Sequence, residues 1–316
     1  MIRMLPRSAV ALGLWFGCTA AARPGAADTP PTSPALPNYQ DSSCRPSGKS
    51  LALPVEVRET SGLARGRRDP SVLWTHNDSG FEPILYALNT EGRILGRVRV
   101  QGATLVDWED IAAGPCGRDS CLFIADIGDN GRAREFVTVY AVPEPAVDAR
   151  STAPARQFRL RFPDGAQDAE AMFILPSGAL YLVSKGRHGA IRLYRAPEGY
   201  ESGSVATLEP VKELWPMPRD ERNRVTSATA TPDGKWVAIR TYRTLYVYAA
   251  ADLVAGRAST PMRVDLAPLR EKQGESVTAT DDGTVWLTSE AERKKDVPSM
   301  SRLECRFAVT TSGSGQ

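Results

Sequence analysis

A unit of a little over fifty residues recurs along this chain, and it constrains the fold more than any other feature. Tyr86, Tyr140, Tyr194 and Tyr246 stand 54, 54 and 52 residues apart, and Glu304 holds the same place 58 residues further on. Each ends a short apolar pair: Leu85-Tyr86, Val139-Tyr140, Leu193-Tyr194, Leu245-Tyr246 and, degenerate, Leu303-Glu304. Ahead of each pair runs an apolar and β-branched stretch: VLWTHND, LFIADIGDN, LYLVSKG, WVAIRTY and VWLTSE. Ahead of that stands a short motif: Glu59 to Leu63, Asp107 to Ile111, Asp168 to Met172, Val225 to Thr229 and Gln273 to Val277. A fourth stretch such as RILGRVRV, RQFRLRF, VKEL or MRVDL leads into the next motif. Turn residues separate these runs, and no long stretch of helical period interrupts them beyond one turn at Leu253–Ala258.

Four short antiparallel strands per unit, repeated about an axis, predict an all-β, single-domain β-propeller. Five units give five four-stranded blades. A six-bladed ring is the alternative, but a hidden blade would have to fit into residues 140–165 or 200–225, each too short for four strands. The last unit has three strands before the chain ends. Leu51–Arg58 (LALPVEVR), just ahead of the first motif, is therefore the expected missing strand, closing the ring from the N-terminal side.

The cysteines fit this closure. There are five: Cys18, Cys44, Cys116, Cys121 and Cys305. Residues 1–22 read as an export signal, with Arg3 and Arg7 ahead of a short apolar run and small residues at its end. A cut after Ala22 discards Cys18, whereas Trp15-Phe16-Gly17-Cys18 resembles a lipobox in which Cys18 would be the lipidated N-terminus. Either route leaves four cysteines in an oxidising compartment. Cys116 and Cys121 enclose four residues, a small hairpin staple, leaving Cys44 with Cys305 at the seam of the closing blade; four free thiols are the alternative. Residues 23–50 are rich in Ala, Pro and Ser and read as a tether, 51–308 as the propeller and 309–316 as a disordered tail.

Charge narrows the function. The net formal charge is +2 over 316 residues, without the basic footprint that nucleic acid demands. No apolar run is long enough to span a membrane, so membrane contact is expected only through a lipid anchor. There are two histidines, His76 and His188, which excludes histidine-rich metal sites. In a propeller the start of strand one and the end of strand two open on one face. The strand-one starts read as Ser61, Glu109, Glu170, Ser227 and Glu275. The strand-two ends read as His76 to Asp78, Asp126 with Asp129, Lys185, Arg240 and Glu290. Crowded carboxylates need a cation, protons or basic partners. Glu109, Asp126, Glu170, Glu275 and Glu290 are therefore the candidate ligands of a hard ion such as Ca²⁺. His76, Lys185 and Arg240 are the candidate catalytic groups, His76 as a base oriented by Asp78 or Glu109, and the two cations facing an anion. The competing reading pairs Lys185 and Arg240 with Glu170 and Glu275 to lock the blades together. Asp126 to Asn130 reads either as a cation loop or as an Asx turn.

The motifs THNDSG, DWEDIA, DIGDN, DAEA and QGES, at blade spacing over about residues 55–300, resemble the exported phytase-like and esterase-like propeller proteins of bacteria. That resemblance implies a Ca²⁺-dependent phosphoric-ester hydrolase with Glu109, Asp126, Glu170, Glu275 and Glu290 at the channel mouth and Lys185 and Arg240 on phosphate. The chain departs from the phytase pattern in having Ser61 and Ser227 at two mouth positions and five repeats where phytases have six blades. The expectation is a monomeric, exported propeller, periplasmic, secreted or on the cell surface. It binds a divalent cation, a small anionic ligand, or both at its mouth. The alternatives are a phosphoric-ester or carboxylic-ester hydrolase, and a non-catalytic scaffold for an envelope protein.

Overall fold

The computed structural model describes residues 40–41, 44–291, 293 and 295–307. The leader, Cys18, most of the tether and the tail lie outside the described residues. Five antiparallel sheets follow one another along the chain. Blade one is Thr60–Arg65, Leu73–Asn77, Ile84–Leu88 and Ile94–Arg99. Blade two is Trp108–Cys116, Asp119–Asp126, Val137–Pro143 and Arg156–Arg161. Blade three is Ala169–Ile174, Leu180–Ser184, Ile191–Arg195 and Glu209–Trp215. Blade four is Val225–Ala230, Trp236–Thr241, Thr244–Ala249 and Met262–Asp265. Blade five is Gln273–Ala279, Thr284–Glu290 and Ser299–Glu304, completed from the N-terminal side. The repeated tyrosines and Glu304 all lie in third strands, as their period predicts.

Strand side chains alternate between faces, and each blade packs a neighbour on both faces, so the inner strands are apolar throughout rather than on one side. Five buried apolar clusters result, one per junction. Trp74, Leu85, Trp108 and Ile124 join blades one and two. Phe123, Val139, Met172 and Leu182 join blades two and three. Phe173, Val183, Ile239 and Tyr246 join three and four. Leu245, Val264, Val277 and Leu287 join four and five. Leu63, Leu73, Trp286 and Met300 join five back to one. Five junctions for five sheets make a closed ring, a five-bladed β-propeller. The single described α-helix is Ala250–Val254, near the one turn expected at 253–258.

The closing strand departs in detail from the expected Leu51–Arg58. Arg45–Pro46 and Leu51–Ala52 each pair antiparallel with the third strand of blade five, while Val55–Val57 forms a 3-10 turn. The cause is Pro54, which has no N–H for the ladder and whose φ of −59° starts the turn. Val57 is instead buried at the junction of blades five and one. The Cys44–Cys305 disulfide spans the seam and Cys116–Cys121 staples the hairpin of blade two, as expected. Two further strands, Gln40–Asp41 and Val205–Thr207, add in parallel to the outer edges of blades four and two. Covering an edge removes a template for unwanted pairing.

Candidate functional site

The first strand of every blade carries a β-bulge near its start, at Ser61, Glu109, Glu170, Thr226 and Glu275–Ser276. A bulge inserts a residue and re-aims its side chain. In blades one, two, three and five it turns Ser61, Glu109, Glu170 and Glu275 into a cavity of about 190 Å³ at the axis. From the ends of the second strands Asp78, Lys185 and Glu290 enter the same cavity, and Asn130, Arg187, Tyr242 and Gln273 complete its wall.

The bulge also explains three sequence positions that miss the mouth. In blade four the bulged residue is Thr226, whose hydroxyl donates to Glu275 O at 2.7 Å, so Ser227 is shifted by one and turns to the axis. A one-residue slip moves a side chain to the other face. Arg240 pairs in register with Ser227, and His76 with Gly62, one pleat deeper than the mouth. Arg240 is 0% exposed; it pairs with Glu271 and donates to Ser276 O and Thr288 O at 2.6 and 3.0 Å. His76 is also 0% exposed, edge-on to Trp108, with Nδ1 3.0 Å from Asn77 O. Burial holds its pKa down at about 4, so the ring is neutral. Asp126 lies opposite Trp108 in the ladder, away from the mouth, and accepts from Arg134 Nη1 at 2.8 Å. Asp129 accepts from Ala133 N and Arg134 N at 2.8 and 2.9 Å, so its carboxylate is spent on the loop that follows and does not line the cavity. Of the seven acids and bases first assigned to ligation or catalysis besides His76, Glu109, Glu170, Glu275, Glu290 and Lys185 meet at the cavity; Asp126 and Arg240 do not.

Below the mouth the ring is closed by Asp110. Its carboxylate accepts from Ile111 N at 2.9 Å, Met172 N at 2.9 Å, Ala228 N at 3.0 Å and Ser227 Oγ at 3.1 Å. Ser227 Oγ in turn accepts from Val277 N at 3.2 Å. One side chain thus ties blades two, three and four, and through Ser227 blade five. Around it the equivalent positions are small: Gly62, Ala171, Ser227 and Ser276. A Cβ on Gly62 would stand 2.7 Å from Ile111 N and 2.7 Å from His76 Nε2. The mouth is therefore a blind cavity, with Glu109 above this layer and Ile111 below it.

Two residues outside the sequence-derived ligand set complete the acidic cluster. Ligand oxygens of Asp78, Asp107 and Glu109 lie within 4.8 Å of one another. Gly128 makes the approach possible: a Cβ there would stand 2.3 Å from oxygens of both Asp107 and Glu109. Asp107 was visible in the second repeat motif and Asp78 in NDSG, but nothing in a linear sequence says that they meet. Glu109 is 5% exposed, faces the cavity and accepts no hydrogen bond from the described residues. Glu170 is held by Lys185, and Gln273 Nε2 bridges Glu275 and Glu290 at 2.8 and 2.9 Å. Arg187 is drawn off to Asp168 at 3.1 Å.

Electrostatics follow from this crowding. Burial, then the neighbouring Glu170 and Asp78, pushes Glu109 well above the usual carboxylate range. Burial and Asp78 raise Asp107 to about 6, and burial raises Glu170 to about 8 despite Lys185. Glu290 is raised by burial and by Glu275. Burial works against the Lys185 ammonium, but Glu170, Tyr242 and Glu109 outweigh it and hold its pKa above the ordinary value. Burial and crowding thus favour the protonated forms of these carboxylates, and a cation among them would oppose that shift.

No sequence-family model and no curated protein matches the chain. Solved structures with similar folds include the PQQ-bound aldose sugar dehydrogenase of Streptomyces coelicolor, at 11% identity and a TM-score of 0.49, covering 84% of this chain and 99% of that one. The calcium-binding protein regucalcin of Agrobacterium tumefaciens aligns at 12% identity and 0.45, covering 86% and 98%. A streptogramin B lyase aligns at 11% identity and 0.42, covering 82% and 97%. These are β-propeller proteins, and likeness at this level carries no argument about chemistry. The resemblance to phytase-like and esterase-like proteins is not confirmed by these comparisons, and what they share with this chain is a β-propeller architecture.

Proposed function

We propose that this propeller binds a divalent cation at its blind acidic mouth, with Asp78, Asp107 and Glu109 as the protein ligands. The observation that carries the reading is the convergence of three carboxylates within 4.8 Å, one of them buried and without a donor. Oxygens bound to one Ca²⁺ at roughly 2.3–2.6 Å can be at most about 5 Å apart, so this separation suits a shared ion. The donor set is all oxygen, with the described cysteines in disulfides and His76 sealed away, which favours a hard cation over zinc or copper. The two disulfides support an oxidising compartment reached by export through residues 1–22. Whether Cys18 anchors the chain is answered by fractionating a Cys18→Ser variant: release from membranes supports the anchor, and unchanged fractionation supports simple secretion.

Calorimetry on EDTA-stripped protein tests the main reading. Ca²⁺ should bind once per chain with a Kd below about 1 mM, and Glu109→Gln should abolish binding while folding normally. No heat and no shift in melting up to about 10 mM Ca²⁺ would overturn it. Turnover of chromogenic phosphate or carboxylic esters that is lost in Glu109→Gln would extend the reading from binder to hydrolase.

A further inference from the structure

Beside the acidic mouth lies a larger groove of about 630 Å³ with the opposite charge. It is walled by the turn after the second strand of blade three, the loop joining blades three and four, the turn after the second strand of blade four, and the loop joining blades four and five. Six cations line it: Arg187, Arg222, Arg224, Arg243, Arg270 and Lys272. Four of them have an acidic neighbour, Arg222 with Asp220 at 2.7 Å, Arg187 with Asp168 at 3.1 Å, Arg224 with Glu221 at 3.4 Å and Arg243 with Asp265 at 4.0 Å. Arg270 and Lys272 carry no ion pair among the described residues. The groove thus keeps a positive excess after its own pairs are counted. Arg270 also takes a left-handed backbone conformation, φ 56°, at the end of the Ala267–Leu269 turn, where side chains other than glycine are uncommon.

A second observation concerns the groove wall. The Glu271 side chain is 5% exposed; its Oε2 pairs with the buried Arg240, and its Oε1 is buried without a hydrogen-bond partner. A buried acceptor without a partner is costly, and a ligand hydroxyl that shifted the groove wall enough to reach it would satisfy it. The groove also shares Arg187, Tyr242 and Gln273 with the acidic cavity, so the two adjoin. Its volume lies within the range of small-molecule sites.

We propose that the groove is the binding site for a hydroxylated oxyanion, a sugar phosphate or a sugar acid, with Arg270 and Lys272 holding the anionic group and Glu271 accepting a hydroxyl. Guanidinium and ammonium groups suit such oxyanions through charge-assisted hydrogen bonds, and several are needed because each exposed charge is screened. The proposal deepens the cation reading, because a ligand seated here would adjoin the cavity that the proposed metal ligands Asp78 and Glu109 line. It does not depend on that reading for its own binding.

The test titrates glucose 6-phosphate, gluconate and inorganic phosphate into the full chain by calorimetry, once with Ca²⁺ and once in EDTA. Glucose 6-phosphate or gluconate should bind in both conditions and weaken as NaCl rises. Arg270→Ala with Lys272→Ala should weaken that binding about tenfold or more, and Ca²⁺ affinity should stay within about twofold. Tighter binding of glucose 6-phosphate than of inorganic phosphate supports the hydroxyl contact, and equal binding overturns it. Binding in EDTA by a protein that takes no Ca²⁺ would sink the cation reading and uphold this one. Absence of binding by every probe to about 10 mM, or an unchanged affinity in the double variant, would overturn the proposal.

Discussion

Replacing Asp110 tests how the ring is held at its axis. The carboxylate is fully buried and every contact it makes is with a donor: three backbone N–H groups from blades two, three and four, and the Ser227 hydroxyl. Burial raises its pKa well above the ordinary value, and those same donors pull it back. A cage of donors is built for the ionised form. Asp110→Ala would leave three buried N–H groups without their acceptor, at about 1–3 kcal/mol each, so a loss of at least roughly 3 kcal/mol is expected. Asp110→Asn keeps the shape but turns an amide NH₂ toward donors, and should cost about 2 kcal/mol or more. Urea denaturation with the disulfides intact measures both, and the Asn variant guards against a chain that fails to fold. If Asp110→Asn unfolds within about 0.5 kcal/mol of the parent, the carboxylate is not working as a charged acceptor and the reasoning fails.

Three further outcomes are expected. In EDTA, stability should fall as pH rises from about 5 to about 8 and Ca²⁺ should restore it. The sign follows because folding raises the pKa of Asp107 to about 6 and of Glu170 to about 8, so the folded state holds more protons than the unfolded one across that window. A melting temperature that rises with pH in EDTA would refute this. Gly128→Ala, which places a methyl 2.3 Å from the oxygens of Asp107 and Glu109, should weaken Ca²⁺ binding at least about tenfold without altering any charge; unchanged binding would remove those two residues from the site. Cys44→Ser with Cys305→Ser opens a link between residues 261 apart and should cost about 2–5 kcal/mol in denaturation under oxidising conditions, and nothing relative to the parent when both proteins are reduced.

Much of the mouth could be read from the repeats because the bulged first strands carry their acids at one motif position. Glu109, Glu170 and Glu275 fall there, while Glu290 ends and Lys185 follows a second strand. The failures share one cause. Blade four has no acid to mark the position, so motif spacing puts Ser227 where Thr226 belongs and Arg240 at the mouth where Tyr242 stands. Asp126 failed likewise, being one residue short of the exit from its strand, on the face that meets Arg134. A bulge adds a residue to one strand of a pair, and motif spacing alone does not show which strand carries it.

The sequence by itself determined the architecture. A 54-residue period, strand-length apolar runs and a strand deficit in the last unit leave few folds besides a closed ring, and the cysteines mark its seam. Local chemistry suffices for this, because blades are built from contacts near in sequence. Only the tertiary structure decided what the axis does. The meeting of Asp78, Asp107 and Glu109, the room left by Gly128, the Asp110 hub and the basic groove beside it depend on residues from different blades. Their separations are set by how five sheets twist and close around one axis, a geometry that no window of the linear chain contains.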